Sequence, residues 1–153
     1  MSEQKKWVWK TPPWVPGHIE KYLTDPEAAH LWDASVGGVE KMLPTLLLTT
    51  KGRKSGEDRH SPLLYQEFNG RWVIIGSKGG FPAHPAWYLN LMANPEAEVR
   101  VGAKRAKVKA RLAAGAERAR YWASMRESYP PFEEYQDRAK DREIPVVVLE
   151  PIG

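Results

Sequence analysis

The feature that most constrains the fold of this chain is a series of short apolar, β-branched segments joined by turn dipeptides. Asn69-Gly70, the strongest short signal for a hairpin, joins two of these segments, and Gly102-Ala103 joins two more. The candidate strands are residues 45–50, 60–68, 71–77, 97–101, 104–112 and 145–150. Helical patterns lie between them at residues 85–93 and 116–128. Six short strands, mostly in hairpins, with inserted helices predict an α+β protein built on a small antiparallel barrel.

The N-terminal segment, residues 1–24, differs from the rest because tryptophan and proline are concentrated in it. These residues are Trp7, Trp9, Pro12, Pro13, Trp14 and Pro16. Proline at this density opposes a regular helix, so we predict an extended arm followed by one domain over residues 25–153. Exposed tryptophan is costly, so the arm should pack on something. Its own barrel is the simplest candidate; closure of a ligand site, a second subunit and a membrane surface stay open.

A helix is also predicted directly after the arm. Asp25 has the character of an N-cap and Pro26 that of a first helical residue. Apolar or small residues then recur on roughly one helical face as far as Met42, although Gly37-Gly38 weakens the pattern. We expect this helix to have a packing role.

The composition excludes several classes of protein. Apolar residues make up 42% and charged residues 27% of 153 residues, and no apolar run approaches the ~20 residues of a membrane span. There is no cysteine, which fits a cytoplasmic location, and the four histidines lack metal-ligand spacing, so no metal is expected. The net charge of +4 arises partly from alternating basic residues at 104–112. That alternation is typical of a solvated strand face, and no nucleic-acid partner is expected.

Two basic loops that contain glycine carry the strongest functional signal. The first is Gly52, Arg53, Lys54, Ser55 and Gly56; the second is Ser77, Lys78, Gly79 and Gly80. Each alone is typical of an ordinary solvated turn, and neither fits a P-loop or a dinucleotide fingerprint. If the hairpin brings the loops together, their charges and backbone amides form a site for a phosphorylated or polyanionic ligand. The helix that opens at Pro85 would add a positive dipole end.

From Leu46 to Pro151 the chain resembles the deazaflavin-dependent nitroreductases, also described as coenzyme F-420-dependent quinone reductases of actinobacteria. The resemblance is carried by the segments 46–56, 61–63, 77–80, 85–91, 94–95 and 144–148, at matching spacing. It implies a split β-barrel flavin-binding fold and reduced coenzyme F-420 as hydride donor. The N-terminal arm lies outside the resemblance.

The resemblance also implies roles for individual residues. The two loops would hold the cofactor's anionic tail through Arg53, Lys54, Ser55, Gly56, Lys78, Gly79 and Gly80. The deazaflavin would be walled by Pro62, Leu63, Trp87, Tyr88 and Leu91, with Ser77 near the reactive ring. Tyr129 and Tyr135 match tyrosines on the substrate side, whereas Phe132 stands where some nitroreducing members have Tyr. This departure puts efficient nitroreduction in doubt and leaves hydride transfer unaffected.

The implied function is hydride transfer to an electrophilic acceptor, such as a quinone or an activated enone or lactone. Tyr129, Tyr135 or Ser77 would act on the acceptor side as proton donors or polarising groups. Three alternatives stay open: an FMN-dependent oxidoreductase of the same fold, a carrier of the deazaflavin, and a lipid-binding protein. A homodimer is a further expectation from the fold, although no sequence pattern demonstrates one.

Overall fold

The computed structural model describes residues 8–152, which form one curled antiparallel sheet with helices packed on it. The strands are β1 (Leu31–Asp33), β2 (Met42–Lys51), β3 (Asp58–Leu64), β4 (Gln66–Phe68), β5 (Arg71–Ile75), β6 (Glu96–Val101), β7 (Lys104–Leu112) and β8 (Val146–Pro151). The helices are α1 (Val15–Thr24), α2 (Pro26–Ala29), α3 (Ala86–Ala93), α4 (Gly115–Ser128) and α5 (Pro131–Ala139). The predicted α+β class and antiparallel barrel are confirmed, with eight strands in place of six.

The sheet runs in the order β1-β2-β6-β7-β8-β5-β4, β3 also pairs with β2, and every pairing is antiparallel. The single strand predicted at residues 60–68 is interrupted at Tyr65. Its first part pairs with β2 at one edge, and its second part pairs with β5 near the opposite edge. This segment therefore crosses the opening of the half-barrel, which places β3 beside the main cavity described below.

The two faces of the sheet bury separate hydrophobic cores. In β8, Val146 and Val148 face a core shared with α4 and α5, while Val147 and Leu149 face a core shared with α3. Because successive strand residues point to opposite faces, a strand buried on both sides reads as an uninterrupted apolar run. This explains the sequence Val-Val-Val-Leu at this position.

The prediction of one helix from Pro26 to Met42 is wrong. Only α2 is helical; β1 follows, then a 3-10 turn at Ala34–Gly37. The Asp33 side chain accepts a hydrogen bond from the N–H of Ser35 at 3.0 Å and caps this turn, and Trp32 lies opposite Leu43 in the pairing of β1 with β2. The buried positions 32 and 34 fit a period of two as well as a helical period, and pairing with β2 selects the strand.

The prediction of an extended N-terminal arm is only partly correct. Trp7 lies outside the described residues, and Val15–Thr24 is α-helical, with Pro16 in the first turn, where proline is tolerated. In the described remainder, Trp14 packs on Trp32 with ring centroids 5.0 Å apart, and Trp9 packs on Phe81 at 5.8 Å. The arm thus contacts its own domain. Among residues 8–152, no helix has both the length and the apolarity needed to cross a membrane.

Candidate functional site

An apolar cavity of about 360 Å³ lies at the opening of the half-barrel. The N-terminal arm, β3, the second glycine loop and the segment that ends α4 and begins α5 all contribute to its wall. Its lining includes Trp9, Trp14, Pro62, Leu63, Ser77, Gly79, Tyr129, Phe132 and Tyr135. The structure therefore brings together Ser77, both predicted tyrosines and both predicted β3 residues. Flat aromatic and apolar walls suit a planar, largely apolar ligand.

A second, more polar cleft of about 350 Å³ contains the first basic loop. It is lined by Gly52, Arg53, Lys54, Ser55, Arg59, His60, Ser61, Ala86, Trp87 and Asn90. The cleft and the apolar cavity are neighbours along β3, because Ser61 lines the cleft and the next residue, Pro62, lines the cavity.

The first loop is fastened to α3 by Asn90, a residue that sequence reasoning did not single out. Asn90 Oδ1 accepts hydrogen bonds from the backbone N–H of Arg53 at 3.2 Å and from its guanidinium at 3.0 Å. Asn90 Nδ2 donates to Thr50 Oγ1 at 3.1 Å, and the side chain is 3% exposed. Asn90 thus fixes the position of Arg53 at the floor of the cleft. The only available signal was its place in α3 among apolar residues.

We expect Asn90→Ala to weaken binding of an anionic ligand in the cleft by about tenfold. The change leaves Thr50 and Arg53 without their partner, and one lost hydrogen bond to a charged group corresponds to about 1.5–3 kcal/mol. Asn94→Ala is the matched control, because Asn94 is exposed and bonds only the nearby N–H of Glu96. Isothermal titration with coenzyme F-420 measures both; equal affinities for the two variants would contradict a positioning role for Asn90.

The second glycine loop does not line the cleft that contains the first; its residues Ser77 and Gly79 line the apolar cavity. Lys78 Nζ lies 5.2 Å from the ring centroid of Trp9 and 4.9 Å from that of Phe81. Burial, with the nearby charge of Arg142, lowers the pKa of Lys78. Lys78 is thus half-buried against the arm, unlike the exposed Lys54. We therefore expect Lys78→Ala to destabilise the packing of the arm on the second loop.

Gly80 lies in close contact with α5. Its φ is +80°, and a Cβ there would lie 2.6 Å from the backbone oxygen of Tyr135 and 2.8 Å from Cβ of Arg138. Any larger residue would push α5 away from the loop. Gly80 therefore sets the distance between the second loop and the helix that carries Tyr135. Gly56 also has a positive φ, +73°, in the turn of the first loop.

The two predicted tyrosines form a linked pair at the cavity wall. Their hydroxyl oxygens are 3.1 Å apart, within hydrogen-bonding distance. Tyr129 is 4% exposed, and burial strongly raises the pKa of its hydroxyl, with a further contribution from Tyr135. Tyr135 is less buried, and its ring lies 5.6 Å from the guanidinium of Arg138. A protonated hydroxyl pair of this kind can donate a hydrogen bond to an acceptor oxygen in the cavity.

The Tyr129 hydroxyl fits only because residue 37 is glycine. A Cβ at Gly37 would lie 1.8 Å from the hydroxyl oxygen and 2.8 Å from Cζ of Tyr129. We expect Gly37→Ala to lower the free energy of unfolding by about 1–3 kcal/mol through overpacking. Adding Tyr129→Phe removes the closest atom and should restore part of the loss, as measured by thermal unfolding.

Gly17→Ala is the control for this effect, because a Cβ at Gly17 meets nothing within 4 Å. It should be neutral or slightly stabilising in the helix. A Gly37→Ala variant as stable as Gly17→Ala would show that Tyr129 moves aside without cost.

The α3 residues predicted to wall the deazaflavin occupy different environments. Leu91 is 1% exposed in the core beneath α3, which leaves it no surface for a ligand without rearrangement. Trp87 is 7% exposed in the same core and also borders the basic cleft. Tyr88 is half-buried, with its ring 4.7 Å from that of His84. Of the three, only Trp87 lines one of the two cavities described here.

The chain is similar to known proteins over most of its length. The family model for F-420H(2)-dependent quinone reductase matches residues 24–151. An F-420H(2)-dependent quinone reductase of Mycobacterium tuberculosis is 41% identical over 109 residues, which cover 69% of this chain and 72% of that protein. A solved F-420H(2)-dependent reductase is 45% identical, with a TM-score of 0.64 over 70% of this chain and 94% of its own. Another solved structure, described as a domain-swapped dimer, is 39% identical, with a TM-score of 0.66 over 88% of this chain and 96% of its own. The resemblance predicted from the sequence is thus confirmed, and this chain belongs to the F-420H(2)-dependent quinone reductase family.

Proposed function

We propose that this protein transfers a hydride from reduced coenzyme F-420 to a quinone, with the ring in the apolar cavity and the tail in the basic cleft. Membership of the family supports an F-420-dependent reductase. The observation that supports this placement is that β3 borders both the basic cleft and the apolar cavity, and that two hydrogen-bonded tyrosines line the cavity. When bound, the reduced deazaflavin supplies the hydride from its C5 carbon.

The residues present fit this cofactor in their chemistry. Its tail carries a phosphodiester and several carboxylates, and the cleft offers Arg53, Lys54 and Arg59. Its tricyclic ring is flat and largely apolar, and the cavity offers Pro62 and Leu63 together with the aromatic rings of the arm and of α5. Arg53, Lys54, Ser55, Pro62, Leu63 and Ser77 are therefore the proposed contacts.

On the acceptor side, the tyrosine pair would act on a quinone oxygen. As a carbonyl oxygen gains negative charge during reduction, a hydroxyl within about 3 Å stabilises it and then transfers its proton. Tyr135 is the more exposed member, so we assign it to the acceptor, and Tyr129 supports it through the 3.1 Å contact. The apolar wall restricts water, which strengthens both interactions.

Selectivity for coenzyme F-420 over FMN tests this proposal. The tail carries carboxylates that FMN lacks, so binding should be tighter for coenzyme F-420 and should weaken as salt screens the cleft. Quenching of tryptophan fluorescence can follow both titrations, because Trp9 and Trp14 line the cavity. FMN binding of equal or greater strength at low salt would contradict the proposal.

Assembly and location remain predictions. A second copy of the chain is a candidate partner, and light scattering of the purified protein would determine its oligomeric state. We also expect a cytoplasmic location and contact of the N-terminal arm with a membrane surface; sedimentation with anionic vesicles would test the contact.

A further inference from the structure

Arg142 is a buried arginine in a segment where an exposed one would be expected. It lies between Asp141 and Glu143, both exposed, yet it is only 9% exposed itself. Among residues 8–152, no carboxylate forms an ion pair with it. A buried charge without a counter-ion is costly, so its contacts require an explanation.

The guanidinium of Arg142 donates hydrogen bonds to three backbone carbonyls in the second glycine loop and the residues that flank it. Its Nε donates to Phe81 O at 2.9 Å, Nη1 donates to Gly76 O at 3.0 Å, and Nη2 donates to Ser77 O at 2.7 Å. Nη1 also lies 3.2 Å from Nδ1 of His84. Among side chains, only the planar guanidinium of arginine has enough N–H donors, in fixed directions, to bond three carbonyl oxygens at once.

The loop held in this way has an unusual backbone. Lys78, Gly79 and Gly80 all have positive φ, at 46°, 59° and 80°. Such a conformation is unfavourable for lysine and needs support from its surroundings. Two internal bonds, Gly80 N–H to Ser77 O and Phe81 N–H to Lys78 O, close the turn. Ser77 O therefore accepts one hydrogen bond from Gly80, within the turn, and one from the Arg142 guanidinium, outside it.

Positive charge also accumulates around this loop. The charge of Arg142 contributes to lowering the pKa of both Lys78 and His84, although burial is the larger cause for each. Arg138 donates to Gly79 O at 3.0 Å from the other side. Two cationic side chains, Arg138 and Arg142, therefore contact one short loop that itself carries Lys78. Ser77 and Gly79 of this loop line the apolar cavity.

We propose that Arg142 is a positioning residue of the cofactor site: it holds residues 76–81 in the shape that walls the cavity. This inference rests on the proposed function for the identity of the ligand. The part that concerns the loop is independent of that function and can be tested on the empty protein.

The test uses Arg142→Lys, which keeps the charge but cannot reach three carbonyls at once. In the empty protein, the amides of Gly80 and Phe81 should exchange with deuterium at least tenfold faster than in the wild type. The dissociation constant of oxidised coenzyme F-420 should rise at least tenfold. All measurements are made well below the melting temperature, so that a loss of global stability does not contribute.

Arg118→Lys is the matched control. Arg118 donates to the carbonyl of Ile144 at 2.6 Å and pairs with Glu143, in the same segment but away from the loop. It should change neither exchange at Gly80 and Phe81 nor cofactor affinity. Wild-type values of either quantity for Arg142→Lys would overturn the inference.

Failure of the wild type to bind the cofactor and failure of the variant to fold can each be distinguished from failure of the inference. If the wild type fails to bind coenzyme F-420, the proposed function fails, while amide exchange still decides whether Arg142 holds the loop. If Arg142→Lys does not fold, the wild type alone suffices: the Nε–H resonance of Arg142 should shift when oxidised coenzyme F-420 is added. A resonance unmoved at saturation would overturn the coupling of Arg142 to the cofactor site.

Discussion

Tyr135→Phe is expected to lower kcat/KM for a quinone roughly 10²-fold, which is the loss typical of a missing proton donor. Cofactor affinity should stay within about twofold, because the hydroxyl faces the acceptor in the proposed arrangement. Tyr129→Phe should have a smaller effect, since its hydroxyl is almost fully buried and acts through its contact with Tyr135. Steady-state rates with saturating reduced cofactor measure both variants.

Phe132 provides the internal comparison for this prediction. Its ring packs 5.0 Å from that of Tyr129 and 6.3 Å from that of Tyr135, and it is 5% exposed. If the hydroxyl missing from this position limits nitroreduction, Phe132→Tyr should raise it. Wild-type rates for both Tyr→Phe variants with every acceptor would show that the tyrosines only pack, which leaves Ser77 or water as the proton source.

The double variant Arg53→Ala/Lys54→Ala is expected to raise the dissociation constant of coenzyme F-420 about 10²-fold or more. Each charge-assisted contact with a phosphate or carboxylate contributes about 1.5–3 kcal/mol, and both side chains line the cleft. The salt dependence of binding should also become shallower, since two cationic groups are removed. Titration calorimetry at two salt concentrations measures both effects.

The control for this variant is Lys107→Ala/Lys109→Ala, which removes the same charge from the exposed face of β7. It separates the local contacts from the general electrostatic field of a basic protein. Equal loss of affinity in the two double variants would mean that net charge alone attracts the cofactor, and the assignment of the cleft would fail.

The sheet could be predicted from the sequence because its strands carry local signals. Asn69-Gly70 marks a turn by its own backbone preferences, and the basic alternation in β7 gives its exposed face directly. The segment at residues 31–42 could not be predicted, because Trp32 and Ala34 fit either period and the choice depends on pairing with β2. Non-local pairing of this kind leaves little trace in a short window of sequence.

The candidate site could be predicted as a set of residues but not as an arrangement. The residue types of the first loop indicate an anionic ligand, whereas the position of Lys78 depends on contact with Trp9, far away in the chain. Asn90 and Arg142 were missed because polar residues in helices and loops are mostly solvated, and only the folded structure shows that these two are buried.

A single-turnover reaction tests the central claim most directly. Protein saturated with reduced coenzyme F-420, carrying deuterium at C5, is mixed anaerobically with a soluble quinone, and oxidised cofactor and quinol are quantified over time. The account predicts one quinol per oxidised cofactor, a rate far above that without protein, and transfer slower with deuterium than with hydrogen at C5. Oxidation of the cofactor by the quinone at no more than the rate seen without protein would contradict the account and would favour a non-catalytic carrier.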